Sequence, residues 1–378
     1  MSIYIRITTF ICTGMAAILL KNGRTVSTTF KLPLDLDETT TCNIKPNTKE
    51  GRSLSNTKIL IWDEITMASK IAFNAVDAVM KDLLNSHKPF GNIIVILSGD
   101  FRQTLPIVKR GNRTQIIENT VKKSHLWNIF NKISLVENHR LTNPDNSFNN
   151  WLLSIGDGIF ANNIDQQREV IKIPEYMICD NDLLASIYGD FSSNNASMEN
   201  SVILTPTNID ALEINNKILD KLPGEEKIYY SVDSAYDENT TNLDEILPDE
   251  FINSLTPNGL PPHKLKLKIN AVVYLLLNLN INAGLCNGTR MKIIRMQEYN
   301  LLTEIIVGAH SGESICLQRL DFSPDKNELP FVMKRRLFPI RLGYCITINR
   351  SLGQSFESVG IILNNTVFSH GQLYVALS

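Results

Sequence analysis

A pair of carboxylates, Asp63 and Glu64, ends a short apolar run in the sequence ILIWDE, residues 59–64. Such a run is typical of a buried strand, and ligands of parallel sheets bind beyond the carboxyl ends of such strands. At that position Asp63 would support Mg²⁺, directly or through water, and Glu64 would orient and deprotonate an attacking water. The alternative is a polar strand end without chemistry, where Asp63 caps the helix that follows.

A second polar cluster follows another buried-strand candidate. Residues 97–106 have the sequence LSGDFRQTLP and present Asp100, Arg102 and Gln103 together. Two strand ends at one edge of a sheet form a crevice, so we expect this cluster beside the acidic pair, with Gln103 near a γ-phosphate or an attacking water. The alternative is an ordinary polar loop between a strand and a helix.

A lone arginine, Arg140, stands in the segment SLVENHRL, residues 134–141. Its guanidinium would neutralise negative charge that develops on a transferring phosphoryl group. Taken alone, however, an arginine of this kind is more often a surface ion-pair residue.

Polar side chains also follow a strand candidate in ITINRSLGQS, residues 346–355. Hydroxyl, amide and guanidinium groups suit hydrogen bonds to a phosphate backbone, although a solvated loop would have the same composition. These side chains are Thr347, Asn349, Arg350, Ser351 and Gln354.

Local clusters must supply any basic surface for nucleic acid, because the formal net charge is −2. Three clusters would line a nucleic-acid track, although each by itself is more often a solvated surface. They are Lys109-Arg110 with Arg113, Lys122-Lys123, and Lys334-Arg335-Arg336.

Length and composition are those of a globular protein with more than one domain. The chain has 378 residues, of which 43% are hydrophobic and 20% charged, which predicts two or three domains and excludes wholesale disorder. The six cysteines form no CxxC pair and none has a histidine at metal-ligand spacing, so we expect reduced thiols and no zinc site. No apolar run reaches the roughly 18 residues of a membrane span.

Alternating strands and helices are predicted to position the polar groups. Strands at residues 58–62 and 92–97 flank a helix whose apolar residues include Phe73, Val76 and Met80, which implies a parallel sheet covered by helices. A second unit of this kind begins at residue 201, with a helix over residues 209–219. Further strands are predicted at residues 202–204, 271–277, 289–296, 344–348 and 359–363, and residues 223–262 are predicted to be irregular.

Seven motifs occur in a fixed order along the chain. They are TGMAA (13–17), IWDEITM (61–67), SGDFRQTLP (98–106), ENHRL (137–141), TPTN (205–208), ITINRSLGQS (346–355) and HGQLYVALS (370–378). This order resembles that of the PIF-type DNA helicases, superfamily-one enzymes that move 5′ to 3′, and the versions fused in Helitron transposons are most similar. The resemblance covers nearly the whole chain, and the ordered set is far more specific than any single motif.

The resemblance implies an α/β fold of two RecA-like parallel-sheet lobes, with ATP bound in the cleft between them and a small SH3-like β insertion in the second lobe. The implied segments are a first RecA-like lobe without its phosphate-binding loop (1–140), a helical connection (141–200), the start of the second lobe (201–247), the β-rich insertion (248–297) and the remainder of the second lobe (298–378).

The same resemblance implies roles and partners. Asp63 and Glu64 would be the Mg²⁺-binding and water-activating pair, Gln103 would sense the γ-phosphate and Arg140 would contact it. The implied cofactors are ATP and Mg²⁺, and the implied partners are single-stranded and duplex DNA, with no membrane. A nuclear location and links to DNA repair, recombination and telomere maintenance follow from the family alone. The implied DNA contacts are Thr13, Gly14, Thr347, Asn349, Arg350 and Gln354.

The sequence also departs from the family pattern. It contains no GxxxxGK[ST] phosphate loop and no arginine after YVALS, and Arg350 and Leu352 stand where the family usually has lysine and glutamine. We therefore expect a polypeptide truncated at both ends, from an incomplete gene model or a decayed transposon copy, that binds ATP weakly and unwinds little. Two alternatives stay open: a catalytically inactive single-strand-binding remnant of a transposon helicase, and an α/β nucleotide-binding switch protein without DNA contact.

Overall fold

The computed structural model divides the chain into two compact units. One comprises Met1–Ile178 and Thr366–Ser378, and the other comprises Cys179–Asn365. This division places residues 366–378 in the first unit, whereas residues 298–378 were predicted to belong to the second lobe. The five segments implied by the family resemblance remain predictions. The residues that the structure describes are 6–12, 23–33, 36–108, 111–137, 146–159, 171–189, 191, 198–236, 247–257, 259–324 and 328–378.

The first unit contains a sheet of four parallel strands. These are β1 (Ile7–Ile11), β2 (Arg24–Thr25), β3 (Ile59–Asp63) and β4 (Ile94–Leu97). Their order is β2-β1-β3-β4, and Trp62 of β3 pairs with Leu97 of β4. The predicted parallel sheet is therefore confirmed, because the two apolar runs that precede Asp63 and Ser98 form the neighbouring parallel strands β3 and β4.

Helices cover one face of this sheet. Phe73, Val76 and Met80 recur at helical spacing and are buried in one cluster with Phe10 and Trp62, which confirms the predicted helix face. The helices of the first half of the chain are α1 (Val26–Phe30), α2 (Lys49–Ser55), α3 (Lys70–Leu83), α4 (Arg113–Glu118) and α5 (Asn146–Asp157). Short 3₁₀ turns occur at Ile65–Met67, Pro89–Asn92, Val121–Lys123, His125–Ile129 and Glu175–Met177.

The described residues of the second unit form one parallel and three antiparallel sheets. Its helices are α6 (Leu183–Tyr188), α7 (Asn208–Lys221), α8 (Asp249–Ser254) and α9 (Ile348–Ser351), with a 3₁₀ turn at Ile281–Ala283. Its strands are β5 (Ser201–Thr205), β6 (Lys227–Tyr230), β7 (Val232–Tyr236), β8 (Lys264–Leu267), β9 (Val272–Leu275), β10 (Arg290–Met296), β11 (Asn300–Ile305), β12 (Ser314–Gln318), β13 (Leu320–Phe322), β14 (Val332–Leu337), β15 (Ile340–Leu342), β16 (Cys345–Thr347) and β17 (Ser358–Ile361). The last helix, α10 (Gln372–Leu377), belongs to the first unit.

The parallel sheet of the second unit has the order β16-β5-β17. Helix α7 begins where Thr207 accepts a hydrogen bond from the Asp210 N–H, and its Asn215 side chain bonds to backbone groups of Tyr344 and Cys345. These contacts fix α7 to β16, and they confirm the strand–turn–helix prediction for residues 202–219.

The antiparallel sheets have the orders β12-β11-β10-β9-β15, β13-β14-β7 and β6-β8. Strands β9 and β10 confirm the β-type runs predicted for residues 271–277 and 289–296. The prediction of an irregular stretch over 223–262 is wrong, because β6, β7 and α8 lie there. Strands β6 and β7 pair with β8 and β14, which are distant in sequence, so no local turn signal marks them. Among the described residues, no helix has the length and apolar character needed to cross a bilayer.

Candidate functional site

The acidic pair lies where the third strand ends. Asp63 is the last residue of β3, and its Oδ1 accepts hydrogen bonds from the Ser98 hydroxyl at 2.5 Å and the Glu64 N–H at 3.0 Å. Ser98 directly follows β4, and its N–H donates to the Trp62 carbonyl at 3.0 Å. The predicted proximity of the two strand ends is therefore confirmed. Sequence analysis missed Ser98 as a partner of Asp63, although its position after β4 was the available signal.

Glu64 takes an unusual backbone conformation. Its φ of 52° and ψ of 40° place it in the left-handed region, which costs about 1–2 kcal/mol for a residue with a Cβ. The hydrogen bond from the Ile65 N–H to the Ser98 carbonyl, at 3.0 Å, holds the turn that follows. The alternative in which Asp63 caps a helix is not observed, because Ser69 caps α3 by accepting a bond from the Ala72 N–H.

Cys12 lies beneath the acidic pair. Its thiol donates to the Glu64 carbonyl at 3.5 Å. Burial raises the pKa of this thiol to about 12, and the negative charges of Glu64 and Asp63 act in the same direction, whereas a hydrogen bond with Trp62 opposes them. The thiol therefore stays protonated at neutral pH and serves as a packed donor.

Gln103 is held in a tight turn after β4. Its N–H donates to the Asp100 carbonyl at 3.0 Å, and the Asp100 carboxylate accepts the Arg102 N–H at 2.9 Å. The Gln103 Oε1 is buried and has no hydrogen-bond partner among the residues that the structure describes. A buried carbonyl oxygen without a hydrogen-bond donor lowers the stability of the folded state by about 1–3 kcal/mol. A bound ligand or water that donates to this oxygen would remove that loss.

The segment around α10 packs on this turn. The Tyr374 hydroxyl donates to Asp100 Oδ2 at 3.1 Å, and a ring nitrogen of His370 lies 2.8 Å from the Phe101 carbonyl. Gly371 has a φ of 72°, and a Cβ there would lie 2.4 Å from the Gln103 carbonyl oxygen. Burial raises the pKa of Tyr374 to about 12, so its hydroxyl remains a donor. These contacts group residues 366–378 with the first unit, and no role was predicted for Tyr374 from the sequence.

A second support comes from α5. The Arg102 guanidinium pairs with Asp157, with 2.7 Å between Nε and Oδ1, and this hydrogen bond raises the pKa of Arg102. Arg102 is therefore occupied by the protein itself and holds the turn that carries Gln103 against α5. It is not positioned as a free phosphate ligand.

The predicted DNA contacts of the second unit lie in one short segment. Thr347 ends β16 and is nearly buried, and Asn349 and Arg350 lie in α9. The Asn349 Oδ1 is buried without a partner among the described residues. The Gln354 side chain donates to the Arg350 carbonyl at 2.7 Å, so Gln354 holds the backbone of the segment.

Arg350 rests on an aromatic ring. Its guanidinium carbon lies 5.1 Å from the centroid of Tyr274, and its Nη1 lies 3.4 Å from Asn287 Oδ1. Such contacts restrict the guanidinium without neutralising its charge. Sequence analysis missed Tyr274, because it belongs to β9 and no local pattern connects it to residues 346–355.

Part of the predicted site falls outside the described residues. This applies to Thr13, Gly14 and Arg140, and to Lys109 and Arg110 of the first basic cluster. Their roles stay predictions.

The cluster of residues 122–123 is engaged by neighbouring side chains. The Lys122 ammonium lies 3.7 Å from the Phe101 ring centroid, and Lys123 pairs with Glu118 at 2.8 Å. Both cations are thus partly satisfied on the surface of the first unit.

The cluster of residues 334–336 is not a continuous basic patch. Arg335 has no exposed surface and pairs with Asp233 at 2.5 Å, whereas Lys334 and Arg336 are exposed and lie near Asp321. The prediction is wrong for Arg335, because alternate residues of β14 face opposite sides of the sheet and place this guanidinium inside.

The chemistry of the acidic pair fits Mg²⁺. Asp63 Oδ1 has two donors, which leaves Oδ2 without a bond to any described residue. No cluster of three or more His, Cys, Asp or Glu side chains that would form a closed metal site occurs among the described residues. Mg²⁺ is commonly held by one or two carboxylates together with substrate phosphates, so a single carboxylate oxygen at a sheet edge suffices.

Two family models match the chain. The model for PIF1-like helicase matches residues 5–166, which include the acidic pair and the turn that carries Gln103. The model for the 2B domain of the DNA helicase Pif1 matches residues 250–296.

Curated relatives show the same likeness. The chain is 29% identical over 326 residues to the ATP-dependent DNA helicase PIF1 of Xenopus laevis, a match that covers 85% of this chain and 45% of that protein. It is 25% identical over 371 residues to the ATP-dependent DNA helicase Pif1 of Bdellovibrio bacteriovorus, which covers 97% of this chain and 74% of that protein. The chain spans about half the length of the vertebrate relatives that it matches.

Solved structures show the fold. The chain superimposes on Bacteroides Pif1 bound to single-stranded DNA with a TM-score of 0.69 at 23% identity, covering 98% of this chain and 80% of that one. A Pif1 helicase from Candida albicans gives a TM-score of 0.67 at 22% identity, covering 98% and 81%. The predicted fold class, with its RecA-like parallel sheets, is therefore confirmed.

Proposed function

We propose that the chain is a PIF1-like helicase, an ATP-dependent DNA helicase that couples ATP hydrolysis to 5′–3′ translocation on single-stranded DNA and to duplex unwinding. The observation that carries this proposal is the contact between the two strand ends of the first unit. There the Asp63 carboxylate and the polar turn after β4 share a hydrogen bond of 2.5 Å. Parallel sheets bind nucleotides at such edges.

In this proposal the first unit binds and hydrolyses ATP. Asp63 would hold Mg²⁺ through a carboxylate oxygen, and the ion would supply positive charge against the negative charge that develops on the phosphates. Glu64, held in its left-handed turn, takes the proton of the attacking water. Gln103 brings its unpartnered side-chain oxygen and its amide to the γ-phosphate and the water. Arg140 contacts the γ-phosphate.

The second unit grips the DNA strand. Thr347, Asn349 and Arg350 offer a hydroxyl, an amide and a guanidinium to successive phosphates, and Gln354 holds the backbone between them. Thr13 and Gly14 would contact the strand from the first unit. Alternating grip during the ATP cycle would then produce directional movement.

The cellular setting is also a proposal. Relatives in several eukaryotes carry the name ATP-dependent DNA helicase, which supports action on genomic DNA in the nucleus. Roles in DNA repair, recombination and telomere maintenance, and an origin in a Helitron element, extend the family resemblance.

The first test separates catalysis from binding. We expect single-stranded DNA to stimulate the weak ATP hydrolysis of this polypeptide, and Glu64→Gln to lower the stimulated rate by about 10²- to 10⁴-fold, since a general base contributes about that much. Binding of single-stranded DNA, measured by fluorescence anisotropy, should be unchanged in Glu64→Gln. Binding without any DNA-stimulated hydrolysis would instead support the catalytically inactive single-strand-binding alternative.

The second test concerns the grip on phosphates. Affinity for single-stranded DNA should fall with salt, with a logarithmic slope of about −0.7 for each neutralised phosphate. Arg350→Gln should make the slope less negative by about 0.7, whereas the matched change Arg295→Gln, at an exposed residue of β10, should leave it unaltered. An absence of salt-dependent binding to single-stranded DNA would reject DNA as the partner and favour the nucleotide-switch alternative.

A further inference from the structure

A cavity of about 190 Å³ lies within the second unit, between α7, β8 and the β9–β15 strand pair. Leu212 and Asn216 line it from α7, Leu265 lines it from β8, and Tyr274 and Leu342 line the opposite side. An apolar cavity of about 150 Å³ is large enough for one benzene ring. The space therefore has room for one flat ring system.

Polar groups also line the cavity, among them Arg341, whose guanidinium donates to the Leu260 carbonyl. Lys264 and Lys266 line it from β8, and the side chains of Asn208 and Asn216 line it from α7 without hydrogen bonds to other described residues. The amide of Asn215 is already used, since it bonds to backbone groups of Tyr344 and Cys345. An apolar space with a few convergent amides is the surrounding that an unstacked nucleobase requires, because a base has apolar faces and polar edges.

The cavity adjoins the segment proposed to grip phosphates. Thr347 lines the cavity directly. Tyr274, another lining residue, carries the Arg350 guanidinium on its ring. A strand whose phosphates contact Thr347 and Arg350 therefore has a base within reach of the cavity.

We propose that this cavity receives a single unstacked base of the bound DNA strand, an inference that rests on the proposed DNA binding. Side-chain amides of Asn208 and Asn216 would meet the edge of the base, while Leu212 and Leu265 contact its faces. The cavity would then hold one particular nucleotide of the strand at a defined position through its base, whereas phosphate contacts alone do not contact the base.

The experiment is an abasic scan. A set of single-stranded oligonucleotides, each with one abasic position, is bound to the whole chain, and anisotropy gives the affinities. We expect one position at which the missing base lowers affinity by about fivefold or more, since contacts of a single base with a protein pocket contribute about 1–3 kcal/mol. The variant Leu212→Trp fills the cavity and should remove this position dependence. The control Ile209→Trp, on the same helix but not among the lining residues, should retain it. Leu212 is 40% exposed and Ile209 is 72% exposed, so neither change replaces a core residue.

Each outcome decides a different question. A uniform abasic scan with salt-dependent binding would overturn the base cavity and leave the proposed DNA grip standing. A single sensitive position that persists in Leu212→Trp would also overturn the cavity, because the base would be bound elsewhere. If no oligonucleotide binds at any salt concentration, the proposed DNA binding itself fails.

Discussion

Replacing Arg335 by methionine should strongly destabilise the second unit. Arg335 and Asp233 are cross-strand neighbours in β14 and β7, with side chains 0% and 2% exposed. The guanidinium donates to both oxygens of Asp233 and also to carbonyl oxygens of α8 and of the chain that connects α8 to β8. These carbonyls belong to Ile252, Asn253, Leu255 and Pro261. Methionine keeps the apolar stem but leaves a buried carboxylate and several buried carbonyls without a donor.

The expected magnitude follows from that loss. Removing one partner of a buried ion pair costs about 3–5 kcal/mol, because the remaining charge stays in a region of low polarity. For a unit of this size, a change of 1 kcal/mol shifts the melting temperature by about 2–4 °C, which gives a decrease of roughly 6–20 °C. The exposed neighbour supplies the control: Arg336 lies 3.7 Å from Asp321 with its side chain 60% exposed, and such pairs contribute at most about 1 kcal/mol.

The assay must report the second unit alone. The three tryptophans, Trp62, Trp127 and Trp151, all lie in the first unit, so their fluorescence follows that unit only. Hydrogen–deuterium exchange of peptides from β7 and β14 across a urea series follows the second. We expect exchange to increase at much lower urea in Arg335→Met than in Arg336→Met, while the tryptophan transition stays in place. Equal urea midpoints in the two variants would show that Asp233 does not depend on Arg335, and the reasoning would fail.

Two further predictions concern backbone strain and pH. Gly371→Ala should release residues 366–378 from the Gln103 turn, because the added Cβ would lie 2.4 Å from backbone atoms of that turn. The control Gly158→Ala has a φ of 67° and no atom within 4 Å of the added Cβ, so it costs only about 1–2 kcal/mol of backbone strain. Equal hydrogen exchange of the 366–378 peptides in the two variants would contradict this. His263 has a lowered pKa, chiefly because burial disfavours its charged form, with Asp233 opposing this shift. The unfolded chain therefore takes up the proton first as pH falls below the ordinary value near 6.5, and the second unit loses stability over that range. Urea midpoints of the second unit at pH 7.5 and pH 5.5 should differ more in the wild type than in His263→Gln, and an equal difference would assign the pH dependence to other groups.

Local patterns predicted the elements that carry the acidic pair. The apolar run before Asp63, the run before Ser98 and the helical spacing of Phe73 and Met80 each occupy consecutive residues, so periodicity alone identifies them. Once two parallel strands are placed side by side, their polar ends meet at one edge. The proximity of Asp63 to the turn after β4 follows from this topology.

Long-range contacts could not be predicted in the same way. The Tyr374–Asp100 hydrogen bond joins residues 274 positions apart, and Arg350 rests on Tyr274 from a different strand. Burial of Arg335 did have a local signal, since Met333, Arg335 and Leu337 alternate with exposed residues along β14. However, an arginine is almost never fully buried unless it is paired, and the sequence does not show that Asp233 is the partner of Arg335. For this reason residues 334–336 were interpreted as a solvated basic cluster.

The order of the units along the chain has a consequence for biosynthesis. Residues 366–378 complete the first unit, yet all of Cys179–Asn365 is translated before them. At about 5–20 residues per second, the turn that carries Gln103 waits roughly 13–53 s for the segment that covers it. During this interval the nascent first unit exposes the surface that Tyr374 and Gly371 later occupy. A ribosome pause between the two units would therefore prolong exposure to chaperones and proteases, and the edge that carries Asp63 and Gln103 would mature after residues 179–365 have already folded.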